Sequence, residues 1–215
     1  MTGDVRVDDG LAPLVDVART SGGDLYVLTH TGPFCPMVPT AGLALDGRLR
    51  RLEAACLKVR GGLLSAGVDR PDVVVFSQGL ADLVDHISPE GEVTHIGQNG
   101  YDTSVVNRLR LFMDSYRWSA PGSKLAWLLL PEDPAVLDQD DLTTTAPSAD
   151  STDAAVEAAK RSGRLSDDEV LERIRHWNGL VRKVARTRKN VVLVEEFDGT
   201  AAAWRTLLAD PRLDG

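Results

Sequence analysis

Four short runs of nearly continuous apolar residues punctuate the chain at wide intervals: Leu25-Tyr-Val-Leu-Thr29, Val73-Val-Val-Phe-Ser77, Leu125-Ala-Trp-Leu-Leu-Leu130 and Val191-Val-Leu-Val194. None alternates with polar positions, which is the pattern of strands buried on both faces of a parallel sheet. Between them the spacing changes to that of helices. Leu11, Leu14, Val15 and Ala18 fall on one face, as do Leu49, Leu52, Cys56 and Val59. The same repeat returns at Val105, Leu109, Phe112 and Met113, and again at Val170, Ile174, Trp177 and Val181. Ser166 stands three residues before Glu169, the capping-box spacing that predicts the start of the last long helix. Alternating helices and doubly buried strands predict a three-layer α/β/α fold. The stretch 131–151, rich in Asp, Thr, Pro and Ser, is too polar for core. It reads as a polar, flexible loop, either a flap over the strand ends or a plain insertion.

Composition narrows the function classes. The 215 residues, 43% of them hydrophobic, fit one domain spanning 1–215 with a sizeable core. Acidic residues outnumber basic ones, 32 to 24, for a formal charge of −8, and no basic stripe offers to neutralise phosphates. A nucleic-acid partner is therefore not expected. No apolar run approaches the ~18–20 residues that cross a bilayer, and the first thirty residues lack a signal-peptide pattern. Two cysteines are too few for a disulfide scaffold or a four-thiolate metal site. His30, His86, His95 and His176 lack close ligand spacing, and Asp138, Asp140 and Asp141 lack the glycine and glutamate of a calcium loop. The glycine pairs in Ser21-Gly-Gly23 and Arg60-Gly-Gly-Leu63 read as turns between helix and strand, not as phosphate cradles. Neither a metal nor another cofactor is expected. Trp118, Trp127, Trp177 and Trp204 read as packing residues in preference to a sugar platform.

In a doubly wound sheet ligands bind beyond the carboxyl ends of the strands, so the residues after Thr29, Ser77, Leu130 and Val194 matter most. Val75-Phe-Ser77-Gln-Gly79 nearly matches G-x-S-x-G, the nucleophile elbow of α/β-hydrolases, with Ser77 as nucleophile. Val75 holds the first glycine position, however, and the downstream histidines are His86, His95 and His176, the last inside a long amphipathic helix. An ordinary strand-end serine is the plainer account.

A second constellation runs through the whole chain: Gly3-Asp4-Val5, Gly32-Pro-Phe-Cys-Pro36, Cys56, Arg70-Pro-Asp-Val-Val-Val-Phe76, Gly79-Leu-Ala-Asp82, Leu125 to Pro131, His176-Trp-Asn178 and Leu213-Asp-Gly215. This order resembles the SGNH (GDSL-type) hydrolase superfamily. It looks most like the SGNH domain of bacterial membrane-bound acyltransferases that modify glycans and lipid-linked sugars. The resemblance implies a flavodoxin-like parallel sheet and serine esterase or O-acyltransferase chemistry on acyl esters of carbohydrates or cell-envelope glycans. It also implies an acylated carbohydrate or other small ester as partner, a membrane acyltransferase module in the parent protein, and an extracytoplasmic location.

Carried over residue by residue, the resemblance also implies a weakened or inactive site. Asp4 matches the first block, but Val5 stands where the family has its nucleophilic serine, and valine has no hydroxyl. Gly79 and Asp82 match the third block, while Ala81 replaces the asparagine that helps form the oxyanion hole. Asp214 fits the last block, whose histidine would fall two residues beyond it. This order predicts a domain trimmed at both ends, lacking the family's first strand and keeping four main parallel strands. Cys35 and Cys56 resemble the cysteine pair of the acyltransferase-linked domains, and their disulfide would pin the loop after the second strand to the next helix. Two buried free thiols are the other reading. A non-catalytic carbohydrate-binding or regulatory domain is the alternative from outside enzymology. The plain accounts of the same residues are a charged N-terminus at Gly3-Asp4, solvated first-turn acids at Asp82 and Asp85, and a polar tail at Asp214-Gly215.

Overall fold

The computed structural model describes residues 2–3, 13–14, 17, 30–31, 35–40, 42–51, 72–88, 90–139 and 153–213. The sheet is built around the most apolar segments. β5 (Val73–Ser77) and β8 (Lys124–Leu128) pair in parallel along their full lengths, from Val73 opposite Lys124 to Ser77 opposite Leu128. β9 (Val191–Val194) continues beyond β8. On the other side of β5 lies β1 (Thr2–Gly3), with Thr2 opposite Phe76, and beyond it β2 (His30–Thr31). The resulting order, β2-β1-β5-β8-β9, is the flavodoxin-like order in which the second strand precedes the first.

That order corrects the expectation of four parallel strands with the first one missing. The first motif block itself begins on a strand, Thr2–Gly3, which pairs on both sides. Two residues, one of them glycine, are too few for periodicity to register.

Both faces of the sheet are covered, as the unbroken apolar runs require. Successive strand residues point to opposite faces, so each strand feeds two cores. Val74, Phe76, Leu125 and Trp127 pack with Leu109 and Met113 of α1 (Asn99–Ser119) and with Ile174, Trp177 and Val181 of the long helix at Asp167–Ala185. Val75, Ala126, Leu128 and Val192 pack on the other face with Leu14, Val17 and with Trp204 and Leu207 of the helix at Ala201–Leu208. These are the three layers. The long helix starts as predicted: the Ser166 hydroxyl accepts from the Glu169 amide, and the Glu169 carboxylate accepts from the Ser166 amide at 2.8 Å.

A second, antiparallel sheet holds β3 (Gly42–Leu45), β4 (Arg48–Arg51), β6 (Asp85–Ile87) and β7 (Val93–Thr94) in the order β4-β3-β6-β7. The helix α2 (Asp153–Ala159) covers it with Ala155, Ala158 and Ala159 against Ala44, Leu49 and Ile87. Here the helix predicted from Leu49 onward is corrected: Leu49 lies in β4, opposite Ala44. The physical reason is the two-residue turn before it. Asp46 and Gly47 have φ of 50° and 72°, the left-handed pair that a tight hairpin demands and that Asp-Gly adopts readily. Residues 52–59 lie outside the described residues, as do 25–29. Numbering in chain order the α-helices for which full bounds are given, Asp167–Ala185 is α3 and Ala201–Leu208 is α4.

The front of the polar stretch 131–151 is built into the core. Pro134–Val136 forms a short 3-10 turn capped by the Asp133 side chain, Val136 and Leu137 are buried, and the Gln139 amide exchanges two hydrogen bonds with the Leu165 backbone. Residues 140–151 lie outside the described residues.

Replacing Ser166 with alanine removes one arm of the capping box. Urea unfolding of Ser166→Ala is expected to show a loss of about 1 kcal/mol with an unchanged denaturant slope.

Candidate functional site

The carboxyl edge of the parallel sheet is where β1 ends at Gly3 and β5 ends at Ser77, neighbours by the Thr2–Phe76 register. β5 leads into the turn Gly79-Leu-Ala-Asp82, whose last three residues form a 3-10 helix. Gly79 has φ of 137°, a conformation that side-chain-bearing residues rarely adopt. A Cβ at this position would also lie 2.4 Å from the indole of Trp177. Glycine is needed here for both backbone and packing, and the buried Trp177 Nε1 beside it has no hydrogen-bond partner among the described residues.

Asp82 is fully buried. The backbone amide of Met37 donates to both carboxylate oxygens, at 3.1 Å and 2.8 Å, and the Tyr101 hydroxyl donates to Oδ1 at 2.8 Å. The solvated first-turn acid considered for this position is therefore corrected. So is Asp85, which lies in β6, accepts from Arg173 at 3.0 Å and takes the Ser162 hydroxyl at 2.6 Å. Arg173 also donates to the Leu83 carbonyl at 2.7 Å, tying α3 to the turn. Gln78 donates from its side chain to the Cys35 carbonyl at 2.9 Å, so segment 35–40 is sewn to the turn at two points.

Behind Asp82 the network continues. His86 is buried, with Nε2 3.1 Å from the Ala81 carbonyl and 2.7 Å from the Tyr101 hydroxyl oxygen. A ring nitrogen facing a carbonyl oxygen carries the proton, which assigns the hydrogen to Nε2. The Tyr101 proton goes to Asp82, so the phenol oxygen accepts from Nε2–H. Burial lowers the His86 pKa from 6.5 to about 3, against the Ala81 carbonyl and Asp85, which raise it. Burial, then the nearby Asp82 charge, raises that of Tyr101. Both rings are neutral near pH 7.

Ser77 is still within β5, and among the described residues the only non-glycine with positive φ is Asp46. The strained turn that exposes an elbow serine is therefore not at Ser77; the unusual backbone falls at Gly79. Ser77 is half-buried and lines a cleft of about 1830 Å³ together with Leu80, Leu130 and Asn178. Most of that cleft follows the free edge of β9, past Arg188 and Lys189 at its amino end, so only one end of it meets the carboxyl edge. Asn178 fixes that end by exchanging two hydrogen bonds with the Leu130 backbone, at 3.1 Å and 2.8 Å. His176 is half-exposed on α3 and lies 2.6 Å from Asp102 of α1, whose other oxygen accepts from the Gly97 amide.

The turn brings together Gly79, Asp82 and the end of β1. Asp4, Val5, Asp214 and Cys56 lie outside the described residues. Cys35 is disulfide-bonded. No described helix is long and apolar enough to cross a membrane. The residues that sequence reasoning missed are Met37, Tyr101 and His86. Tyr101 has helical spacing to Val105, which reads as ordinary core, and Met37 acts through its backbone.

No family model and no curated protein matches the chain. Among solved structures it is similar to the periplasmic domain of a lipopolysaccharide acetyltransferase from Salmonella ser. Paratyphi A, with 10% identity and a TM-score of 0.48. The alignment covers 91% of this chain, and the chain spans 65% of the length of that one. The fold assignment rests on the strand pairing described above.

Two outcomes test the buried network. Tyr101→Phe deprives Asp82 of a donor and His86 of an acceptor, and chemical denaturation should register a loss of about 1–3 kcal/mol. His86 is also linked to pH. Its folded pKa lies below its unfolded value, so below pH 6.5 the unfolded chain binds a proton that the native state refuses until about 3. Stability should fall with falling pH across that window. His86→Asn should flatten this part of the stability profile; an unchanged slope in the variant would assign the acid sensitivity elsewhere.

Proposed function

We propose that this chain is an SGNH-like domain that binds an acyl ester of a carbohydrate at the carboxyl edge of its parallel sheet. It turns the ester over weakly or not at all. The observation that carries the reading is the turn after the middle strand. Gly79, at positive φ against Trp177, and the buried Asp82 are the residues that the resemblance assigns to the third block, and they lie beside the end of β1, which carries the residue it assigns to the start of the first. In that pattern a serine attacks the acyl carbon, a histidine takes its proton, and backbone amides with an asparagine hold the oxyanion.

Two of those chemical groups are altered in this sequence. Val5 has no hydroxyl to acylate. Ala81 presents a fully buried methyl where the asparagine amide would donate, and loss of one oxyanion donor typically costs ~10²–10³ in rate. His86, the histidine nearest the turn in sequence, is neutral, buried and held by Ala81 and Tyr101, so it is not placed to activate Ser77. The bound disulfide of Cys35 supports an oxidising, extracytoplasmic setting, as a glycan-modifying membrane acyltransferase would provide.

The test pairs turnover with binding. The protein should show no p-nitrophenyl acetate hydrolysis that a fluorophosphonate abolishes, and calorimetry should show saturable binding of an O-acetylated sugar. Fluorophosphonate-sensitive hydrolysis that disappears in Ser77→Ala would replace this reading with an active serine esterase. Absence of both hydrolysis and binding would remove the acyl-ester reading itself.

A further inference from the structure

A second cavity, of about 440 Å³, shares no lining residue with the cleft along β9 among the described residues. It opens where segment 35–40, β6, β7 and the first turns of α1 meet, with His86 and Tyr101 among its lining. Its size falls within the range of small-molecule sites.

Proton accounting leaves one acceptor of this buried lining histidine without a donor among the described residues. Nε2 of His86 carries the ring hydrogen, because it faces the Ala81 carbonyl at 3.1 Å. The Tyr101 proton is already committed to Asp82 at 2.8 Å. Nδ1 of His86 is therefore a bare lone pair, and its 3.3 Å neighbour, the Tyr101 oxygen, has no proton to give it. Such a group leaves a desolvation cost unmet until a donor arrives.

The hydroxyls around the cavity leave complementary capacity. Ser88 Oγ accepts from the amides of Glu90 and Glu92, both at 3.2 Å, which leaves its proton to donate. Ser104 Oγ donates to the Gly100 carbonyl at 3.1 Å, which leaves its lone pairs to accept. The Thr94 hydroxyl has no partner among the described residues and can do either. Among the described residues no lining side chain carries a formal charge, so neither an anion nor a cation finds a counter-charge in them. Val38, Pro39 and the Tyr101 ring supply apolar contact. Mixed donors and acceptors without charge, beside an aromatic and aliphatic wall, suit a ligand whose polar groups are themselves hydroxyls.

We propose that this cavity binds a neutral polyhydroxylated ligand, a single sugar ring, one of whose hydroxyls donates to Nδ1 of His86. The inference goes beyond the ester reading and does not depend on it: the site needs no chemistry at the Gly79 turn.

The experiment follows the His86 imidazole nitrogens by NMR in the intact protein. The titrants are the methyl glycosides of glucose, galactose and mannose, and N-acetylglucosamine. At least one should shift the Nδ1 resonance saturably, with a dissociation constant on the order of 1 mM. Thr94→Val should weaken that binding about tenfold. Gly100→Leu places a side chain where a Cβ meets nothing within 4 Å and favours the helix. It should abolish binding while leaving the thermal midpoint unchanged or raised. The proposal is overturned if no glycoside moves Nδ1, if Gly100→Leu binds as the parent does, or if sodium acetate binds equally well. Because the readout is His86 and the titrants carry no O-acyl ester, a failure here leaves the turnover and calorimetry result at the carboxyl edge standing.

Discussion

The Asp82 carboxylate has no exposed surface, and a buried carboxylate survives only where donors replace the water it has lost. Donors reach it from both sides of the turn in sequence. The Met37 amide lies 45 residues earlier in sequence, the Tyr101 phenol 19 residues later, and the turn itself brings the carboxylate inward. From Tyr101 the bonds pass to His86 and from His86 to the carbonyl of Ala81, the residue next to Asp82. The circuit is closed, so the geometry of the turn after β5 is specified by a polar network as well as by hydrophobic packing. Segment 35–40, α1 and β6 are all held in register by it, and the second cavity exists because these three elements meet there.

The long helix α3 supports the same turn from the opposite side. Trp177 fills the space that a side chain at Gly79 would need, Arg173 holds the Leu83 carbonyl and Asp85, and Asn178 holds the Leu130 backbone. All three lie within two turns of one helix, so α3 aligns the ends of β5 and β8 with respect to each other. A site placed at a sheet edge gains precision when a rigid helix fixes the loops on it.

How much of this could be read from the sequence follows from the range of each interaction. β5, β9 and most of β8 were legible because residues buried on both faces leave unbroken apolar runs, and α1 and α3 because one face of each is core. The capping box of α3 is local and was legible for that reason. β1 was not, since Thr2 and Gly3 owe their strand character to neighbours on both sides. The β3–β4 hairpin did carry a local signal in Asp46-Gly47, but the apolar spacing from Leu49 masked it. Gly79 was recognised as a candidate, whereas the burial of Asp82 was hidden because its donors include a backbone amide, which has no sequence signature. Tyr101 and His86 were hidden similarly: a helical tyrosine and a strand histidine announce nothing until the fold brings them within 3 Å.

The altered positions sort by what they do. Gly79 and Asp82 match the SGNH pattern, and both are architectural here: one permits the backbone path and the Trp177 contact, the other anchors the polar circuit. Val5 and Ala81 depart from the pattern, and the groups they lack are those that would form an acyl bond or steady an oxyanion. Ala81 shows the distinction within one residue. Its carbonyl still holds His86 and so contributes to the fold, while its side chain has nothing to donate to a substrate. At Ala81 the backbone is bound into the polar circuit while the side chain is a buried methyl, so the turn's architecture rests on its main chain there.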